Sequence, residues 1–145
     1  MNHARIDITP GLDGEAVVLA CFDLGQEEIS ASAHAVQVIT TERFRTAEMS
    51  VDDVLEFREL TALADELADH VRQEGIRTIV MRPSRLNAWR HALTHFVESR
   101  DEADWAREDD RKALPDARAL LWPLADLCAD AMRAALSPPA EKPLP

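Results

Sequence analysis

Apolar and polar residues alternate through much of the first forty positions, which is the pattern of β-strands. Residues 4–9 alternate and stop at the turn cluster PGLDG, and residues 15–23 form an apolar run bounded by turn residues. Residues 29–35, ISASAHA, alternate again, and a change of phase at Val36 indicates a β-bulge. These three segments predict three strands joined as an antiparallel meander.

A helical period replaces the alternation after the meander. Ser50 followed by Asp53 fits an acidic capping box, and Gly75 is suited to end the helix in the left-handed conformation. Between them the apolar residues recur at steps of three and four and form one stripe: Val54, Phe57, Leu60, Ala64, Leu67 and Val71. The short β-branched run at residues 76–81 predicts a fourth strand, which would return across this helix and pair in parallel with the meander.

Two further helices are predicted after the fourth strand. Pro83 blocks continuation of the strand, and Ser84 is suited to cap the next helix at its N-terminus. The apolar face of that helix consists of Leu86, Trp89, Leu93, Phe96 and Val97. The last helix is expected to start at Pro115, because proline is tolerated in the first turn, and to be kinked at Pro123.

The segment between these two helices is strongly charged. Residues 98–112 contain seven acids and four bases, which leaves a loop and a short helix both open. Trp105 lies within the segment and is expected to turn inward, toward the core, because it is the one large apolar side chain among these charges.

The whole chain is predicted to form one α+β domain. At 145 residues, 46% of them apolar, it is long enough for one sizeable core. The elements follow in the order β-β-β-α-β-α-α, with a three-stranded antiparallel meander, a fourth strand parallel to it, and the helices packed on the sheet. The domain is placed at residues 1–136, and residues 137–145, SPPAEKPLP, are expected to form a proline-rich flexible tail.

This element order is similar to that of ribonuclease H-like folds. In such enzymes, carboxylates from the first strand, the first helix and the fourth strand hold two metal ions. Asp7 and Glu59 lie on the corresponding strand and helix of this chain, but the predicted fourth strand ends in MRPS, which contains no carboxylate. The resemblance therefore implies a fold of this kind without nuclease activity.

The formal net charge of −11 narrows the set of partners. An acidic surface repels the phosphates of nucleic acids and anionic lipid headgroups, so we expect neither nucleic-acid nor membrane binding. The first residues lack the charged and apolar pattern of a secretory signal. Cys21 and Cys128 each lie among apolar residues without a CxxC motif, which predicts buried, reduced thiols and a cytoplasmic location, with a disulfide between them as the alternative.

A metal site is one interpretation of the histidines on the second predicted helix. His91 and His95 are four residues apart, and Glu98 follows at a spacing that places all three on one helical face. Imidazole and carboxylate groups together can ligate a metal ion. The alternative is a solvated surface, because this face is opposite the apolar stripe and no HExxH motif supplies a general base.

A small-anion site is a second interpretation, at the start of the same helix. Residues 75–97 contain no acid. Arg82, Ser84 and Arg85 surround a predicted helix N-terminus, where backbone N–H groups attract phosphate or carboxylate and guanidinium groups would strengthen the binding. The alternative is internal charge pairing, because residues 47–74 contain nine acids and two bases.

The function that the sequence favours is non-enzymatic protein binding. The chain carries no GxSxG motif and no glycine-rich phosphate loop, and we expect no cofactor. Trp122 lies off the main apolar stripe of the last helix and is expected to pack in the core, with a contact to another subunit as the alternative. Trp105 and Trp122 are candidate interface residues, because tryptophan often anchors an interface. We therefore expect an acidic regulatory or protein-binding module that takes a protein partner or self-associates as a homodimer. The alternative is a small-anion binding protein or enzyme that uses Arg82, Ser84 and Arg85.

Overall fold

The computed structural model describes residues 1–44 and 49–136. Within these ranges the strands are β1 (Asn2–Pro10), β2 (Ala16–Leu24) and β3 (Arg77–Met81), and the helices are α1 (Gln26–Arg43), α2 (Val51–Val71), α3 (Pro83–Arg100) and α4 (Glu108–Leu136). No helix in these ranges combines the length and the apolar character that crossing a membrane requires. The predicted tail at residues 137–145 lies outside the described residues.

The three strands form one antiparallel sheet with β2 in the centre. β1 and β2 are joined as a hairpin in which Ile6 lies opposite Ala20. β3 lies along the other edge of β2, with Ile79 opposite Phe22. Ala20, Phe22 and Ile79 are buried beneath the helices. The α+β class and a three-stranded antiparallel sheet are therefore confirmed, although the third strand is not the predicted one.

The prediction of a strand at residues 29–35 is wrong, because these residues lie in α1. The alternation in ISASAHA is between alanine and the polar residues serine and histidine, and alanine favours a helix over a strand. On the helix, the buried residues Ile29, Ser32 and Val36 share one face at steps of three and four. Val36 is therefore a core residue of α1 and not a β-bulge. Without this strand the order of the elements is no longer similar to that of ribonuclease H-like folds.

β3 runs antiparallel to β2, which contradicts the predicted parallel fourth strand. One helix between two neighbouring strands returns the chain to the edge from which it started and makes the strands parallel. Two helices, α1 and α2, connect β2 to β3, and they pack against each other. The chain therefore reverses direction once more before it enters the sheet again. The predicted direction of β3 is wrong because the prediction has a strand in place of α1.

Local capping chemistry explains the start of α2. The Asp53 N–H donates to Ser50 Oγ and the Ser50 N–H donates to Asp53 Oδ2, each at 3.1 Å, so the predicted capping box is confirmed. Gly75 has a positive φ of 97°, but α2 already ends at Val71. The left-handed conformation at Gly75 therefore shapes the turn into β3 instead of ending the helix.

α3 and α4 begin at residues other than the predicted ones. Arg82, not Ser84, is the N-cap residue of α3. α4 begins at Glu108 and not at Pro115, because the acidic residues of its first turn interact favourably with the helix dipole. The helix then continues through Pro115 and Pro123. The charged segment before Pro115 therefore contains the end of α3, a short loop and the start of α4.

The core is centred on a contact between the sheet and α3. The rings of Phe22 and Trp89 stack with centroids 5.5 Å apart, and both side chains are at most 1% exposed. The predicted apolar face of α3 is confirmed, because Leu86, Trp89, Leu93, Phe96 and Val97 are all buried. α3 also contacts each of the other three helices. The aromatic stack therefore positions the helix on which the others pack.

Replacing Trp89 with alanine is expected to lower the free energy of unfolding by about 3–5 kcal/mol, because removal of a large buried aromatic side chain leaves a cavity. Trp122→Ala is the matched control, since Trp122 is 79% exposed, and it should change the free energy by less than about 0.5 kcal/mol. Urea denaturation followed by circular dichroism measures both values. Equal losses in the two variants would contradict the position of α3.

Candidate functional site

Arg85 of the candidate anion site is paired with two carboxylates of α2. The Arg85 guanidinium donates to Glu59 Oε2 at 3.1 Å and to Glu66 Oε2 at 3.3 Å. Its charge is compensated within the fold, as the internal-pairing alternative predicts. Arg82 and Ser84 are exposed at the start of α3. The anion hypothesis therefore retains only these two of its three residues.

The candidate metal residues share one exposed face of α3, where they line a shallow depression. His91 Nδ1 donates to Glu56 Oε1 on α2 at 3.2 Å, and His95 and Glu98 lie on the same side of the helix. Among the residues that the structure describes, no three His, Cys, Asp or Glu side chains are grouped so as to hold a metal ion. The metal hypothesis therefore gains no support.

The two candidate interface tryptophans have different surroundings. Trp105 is 61% exposed in the loop between α3 and α4, so the expected inward orientation is wrong. Its ring lies 5.1 Å from the guanidinium carbon of Arg100, a cation–π contact that holds the ring at the surface. Trp122 is 79% exposed on α4, so the expectation that it packs in the core is wrong, and it presents the larger aromatic surface to solvent.

α4 carries two apolar faces, and the fold buries only one of them. The buried face includes Ala117, Leu120, Leu124, Leu127 and Ala131. A second set of apolar residues recurs at steps of three and four and therefore lies on another side of the helix: Trp122, Ala125, Ala129, Met132 and Leu136. We call this second set the outer stripe. Its large members, Trp122, Met132 and Leu136, are each more than half exposed.

A groove of about 440 Å³ lies between the outer stripe and the start of α3. Ala125, Ala129 and Met132 line it from α4, and Pro83, Ser84 and Arg90 line it from α3. The Cys128 thiol lies at its floor, 3.8 Å from the carbonyl oxygen of Leu86. Burial raises the pKa of Cys128, so the thiol is protonated at neutral pH and contributes an apolar surface to the groove.

Both cysteines are buried free thiols, as predicted. Cys21 lies on β2, and its Sγ donates to Asp7 Oδ2 on β1 at 3.2 Å. Burial and the neighbouring Asp7 carboxylate raise the pKa of Cys21. Because Cys128 lies at the contact between α3 and α4, the two thiols belong to different parts of the fold.

A cleft between α1 and α4 contains polar residues that the sequence did not single out. It has a volume of about 510 Å³, and His34 lines it from α1. His34 Nε2 donates to Asp110 Oδ1 at 2.7 Å, although the two residues are 76 positions apart. Behind them lies the buried Arg100, whose Nε is 3.5 Å from Asp110 Oδ2. Another nitrogen of the same guanidinium group forms an ion pair with the Glu42 carboxylate of α1. This charged cluster joins α1, α3 and α4.

The contacts of Asp110 explain its ionisation. Burial raises the pKa of this carboxyl, but hydrogen bonds from His34 and from the Arg107 backbone N–H, together with the charge of Arg100, bring the pKa below its ordinary value. A carboxylate that orients an imidazole is also the arrangement of a general base. Within the described part of the chain no hydroxyl or thiol is hydrogen-bonded to His34, and the contacts that the structure shows link α1, α3 and α4.

Two features of the sequence are consistent with a role for His34 and Asp110 in this cluster. A helix over residues 26–43 places His34 one turn after Ser30, on a face that can meet another helix. Asp110 is three residues after the N-cap of α4, where an acidic side chain commonly accepts a backbone hydrogen bond. Neither signal shows that His34 and Asp110 meet, because that depends on how α1 packs against α4.

No family model matches the chain, and neither a curated protein nor a solved structure is significantly similar to it. Two features can therefore support a functional proposal, the outer stripe with its groove and the cleft with its charged cluster. The groups of the charged cluster already have partners within the fold, whereas the apolar side chains of the outer stripe are exposed.

Asp110→Asn is expected to lower the free energy of unfolding by about 1–3 kcal/mol at neutral pH, because His34 and Arg100 lose their anionic partner. The pKa of Asp110 is lower in the folded protein than the value of about 3.9 in the unfolded chain. Its contribution is therefore complete above that value and is lost as the pH falls through the folded pKa. Urea titrations from neutral pH down to about pH 3 measure this dependence.

The difference between wild type and Asp110→Asn should shrink once the pH falls below the unfolded value. Asp109→Asn is the matched control, because Asp109 is the exposed neighbour on the same turn of α4. It should lose only the interaction with the helix dipole, about 0.3–1 kcal/mol, and none of the contacts to His34 and Arg100. A difference that stays constant across the titration would show that the Asp110 carboxylate does not contribute through its charge.

Proposed function

We propose that the chain is a protein-binding module that docks an amphipathic helix of a partner protein along the outer stripe of α4. The observation that carries this proposal is the exposure of Trp122, Met132 and Leu136 on one side of one helix. Ordered rows of large apolar side chains on a soluble domain mark interaction sites. Tryptophan in particular is enriched among the residues that dominate binding energy.

The dimensions of the outer stripe suit a docked helix. From Trp122 to Leu136 it extends over about four helical turns, or about 21 Å. Ala125 and Ala129 in its middle are small, so a second helix can approach α4 to an interaxial distance of about 8–10 Å. The larger side chains of Trp122 and Leu136 would then contact the two ends of the docked helix.

The groove beside α3 gives the docked helix a second wall. Its floor is formed by Cys128, which is only 8% exposed, and by the alanines of the outer stripe. Helices that bind in such grooves insert apolar side chains at positions i, i+3 or i+4, and i+7. Met132 borders the groove and belongs to the outer stripe, so one docked helix would cover both surfaces.

A homodimer is the second candidate, and the symmetry of the outer stripe about Ala129 favours it. Trp122 and Leu136 are equally far from Ala129 along α4. If two α4 helices packed in antiparallel orientation about a two-fold axis at Ala129, Trp122 of each protomer would lie against Leu136 of the other. Asp126 and Arg133 of opposite protomers would also be neighbours with opposite charges, in addition to the ion pair that Arg133 forms with Asp130 of its own chain at 2.5 Å.

Ala129→Arg is expected to weaken helix docking strongly, because a long charged side chain would stand in the middle of the outer stripe. Amphipathic helices selected from a phage-displayed library against the wild-type chain should carry apolar residues at i, i+3 or i+4, and i+7. Their affinity, measured by fluorescence anisotropy, should fall by about tenfold or more in the variant, which corresponds to about 1.4 kcal/mol.

Ala68→Arg is the matched control, because it adds the same side chain at an exposed position of α2 and should leave the affinity unchanged. The proposal is wrong if no helix is selected, or if the selected helices bind the folded Ala129→Arg variant as tightly as they bind the wild type.

Sedimentation equilibrium of the wild-type chain distinguishes the second candidate. A homodimer predicts a mass of about twice the monomer mass and a return to the monomer in Trp122→Asp, since a carboxylate would replace the anchoring ring. Trp105→Asp changes the other exposed tryptophan and should leave the dimer intact. A wild-type chain that stays monomeric at every concentration excludes the homodimer and leaves a different protein as partner.

A further inference from the structure

The two sides of the groove and outer stripe differ in charge. We propose that the docked helix is acidic along the flank that faces α3, an inference that rests on the proposed function. Among the described residues, Arg82 and Arg90 on the α3 side of the surface form no ion pair, and the far side of α4 has a net negative charge. Opposite charges would therefore select a partner helix and set its orientation.

Arg90 supplies the positive charge on the wall of the groove. Residues 75–97 contain no aspartate or glutamate. Arg90 is half-buried, and within residues 1–44 and 49–136 it makes no ion pair. The charge of Arg90 acts on Cys128 at the floor of the groove. It lowers the pKa of this thiol, although burial raises that pKa by more. Arg85, five residues earlier, differs because two glutamates neutralise its charge.

The start of α3 adds to the positive potential. Pro83 and Ser84 line the groove and lie in the first turn of α3, next to the exposed N-cap residue Arg82. The positive end of a helix dipole lies at this turn. The first turns of α1, α2 and α4 each contain at least two acidic residues, whereas the first turn of α3 contains none. The dipole of α3 is therefore not offset by its own side chains.

The opposite flank of the outer stripe is acidic. Asp126 and Asp130 are exposed on the side of α4 that is turned away from the groove, at about 40° and 80° from Trp122 around the helix. Arg133 lies on the same flank and forms an ion pair with Asp130 at 2.5 Å, so the net negative charge of this flank comes from Asp126. A helix docked on the outer stripe would therefore place its acidic flank over Arg90 and a neutral or basic flank over Asp126. Apolar burial would supply most of the affinity, and the charges would supply the selectivity.

Two synthetic helices test this inference. Both carry leucine at i, i+3 or i+4, and i+7, and they differ only along one flank, which is glutamate in the first peptide and lysine in the second. Fluorescence anisotropy with the 145-residue chain should give an affinity about tenfold or more higher for the glutamate peptide. This preference would oppose the net charge of −11, which by itself favours the lysine peptide. Added salt should reduce the preference.

Arg90→Glu should abolish or invert the preference for the glutamate peptide. Arg58→Glu makes the same charge change at an exposed position on α2 and should leave the preference intact. Equal affinities of the two peptides for the wild type, a tighter lysine peptide, or equal effects of the two substitutions would overturn the inference.

Ala129→Arg separates this inference from the proposed function. If the wild type binds both peptides equally and Ala129→Arg binds neither, the docking surface is right and the charge assignment is wrong. If the wild type binds neither peptide, the docking surface itself is wrong. Circular dichroism and urea denaturation of each variant show that a loss of binding does not arise from unfolding.

Discussion

The stack of Phe22 on Trp89 holds α3 against the central strand, and the surface of the protein follows from where α3 lies. α3 contacts β2 and every other described helix, so a shift of α3 would disturb each of these contacts. The start of α3 forms one wall of the groove beside α4 and brings Arg85 to the carboxylates of α2. The end of α3 brings the buried Arg100 to Asp110. One aromatic contact thus determines which charges meet inside the fold.

The acidic excess of the chain neutralises guanidinium groups that the fold removes from water. Arg100 is only 2% exposed and has carboxylates of α1 and α4 beside it, and Arg85 has two carboxylates of α2. An unpaired charge in such positions would cost several kcal/mol. Arg90 has no such partner in the described part of the chain and lies beside exposed apolar residues of α4. In the proposed docking, this local basic surface would discriminate between partners, because the remaining acidic surface would repel other acidic ligands.

The errors in the predicted fold have a common origin in segments whose local pattern fits two structures. Residues 29–35 alternate, but alanine is small enough to be buried on either face, so the same residues satisfy a strand and the helix α1. The direction of β3 then depends on the number of helices that precede it. The run of charges before Pro115 fits a solvated loop as well as a helical first turn, and α4 uses it as the latter. The composition of a segment does not distinguish a strand from a helix, or a loop from a helical first turn. The choice between them depends on the residues that pack against the segment.

The sequence by itself determined the features that depend on neighbours along the chain. The capping box of Ser50 and Asp53 and the apolar face of α3 need only residues within a few helical turns, and both could be predicted. The tertiary structure alone decided that His34 meets Asp110 and that one apolar face of α4 is buried while the outer stripe is exposed. Periodicity shows that a residue belongs to an apolar face, but whether that face is buried depends on segments that are far away in sequence and are brought together by the packing of the helices.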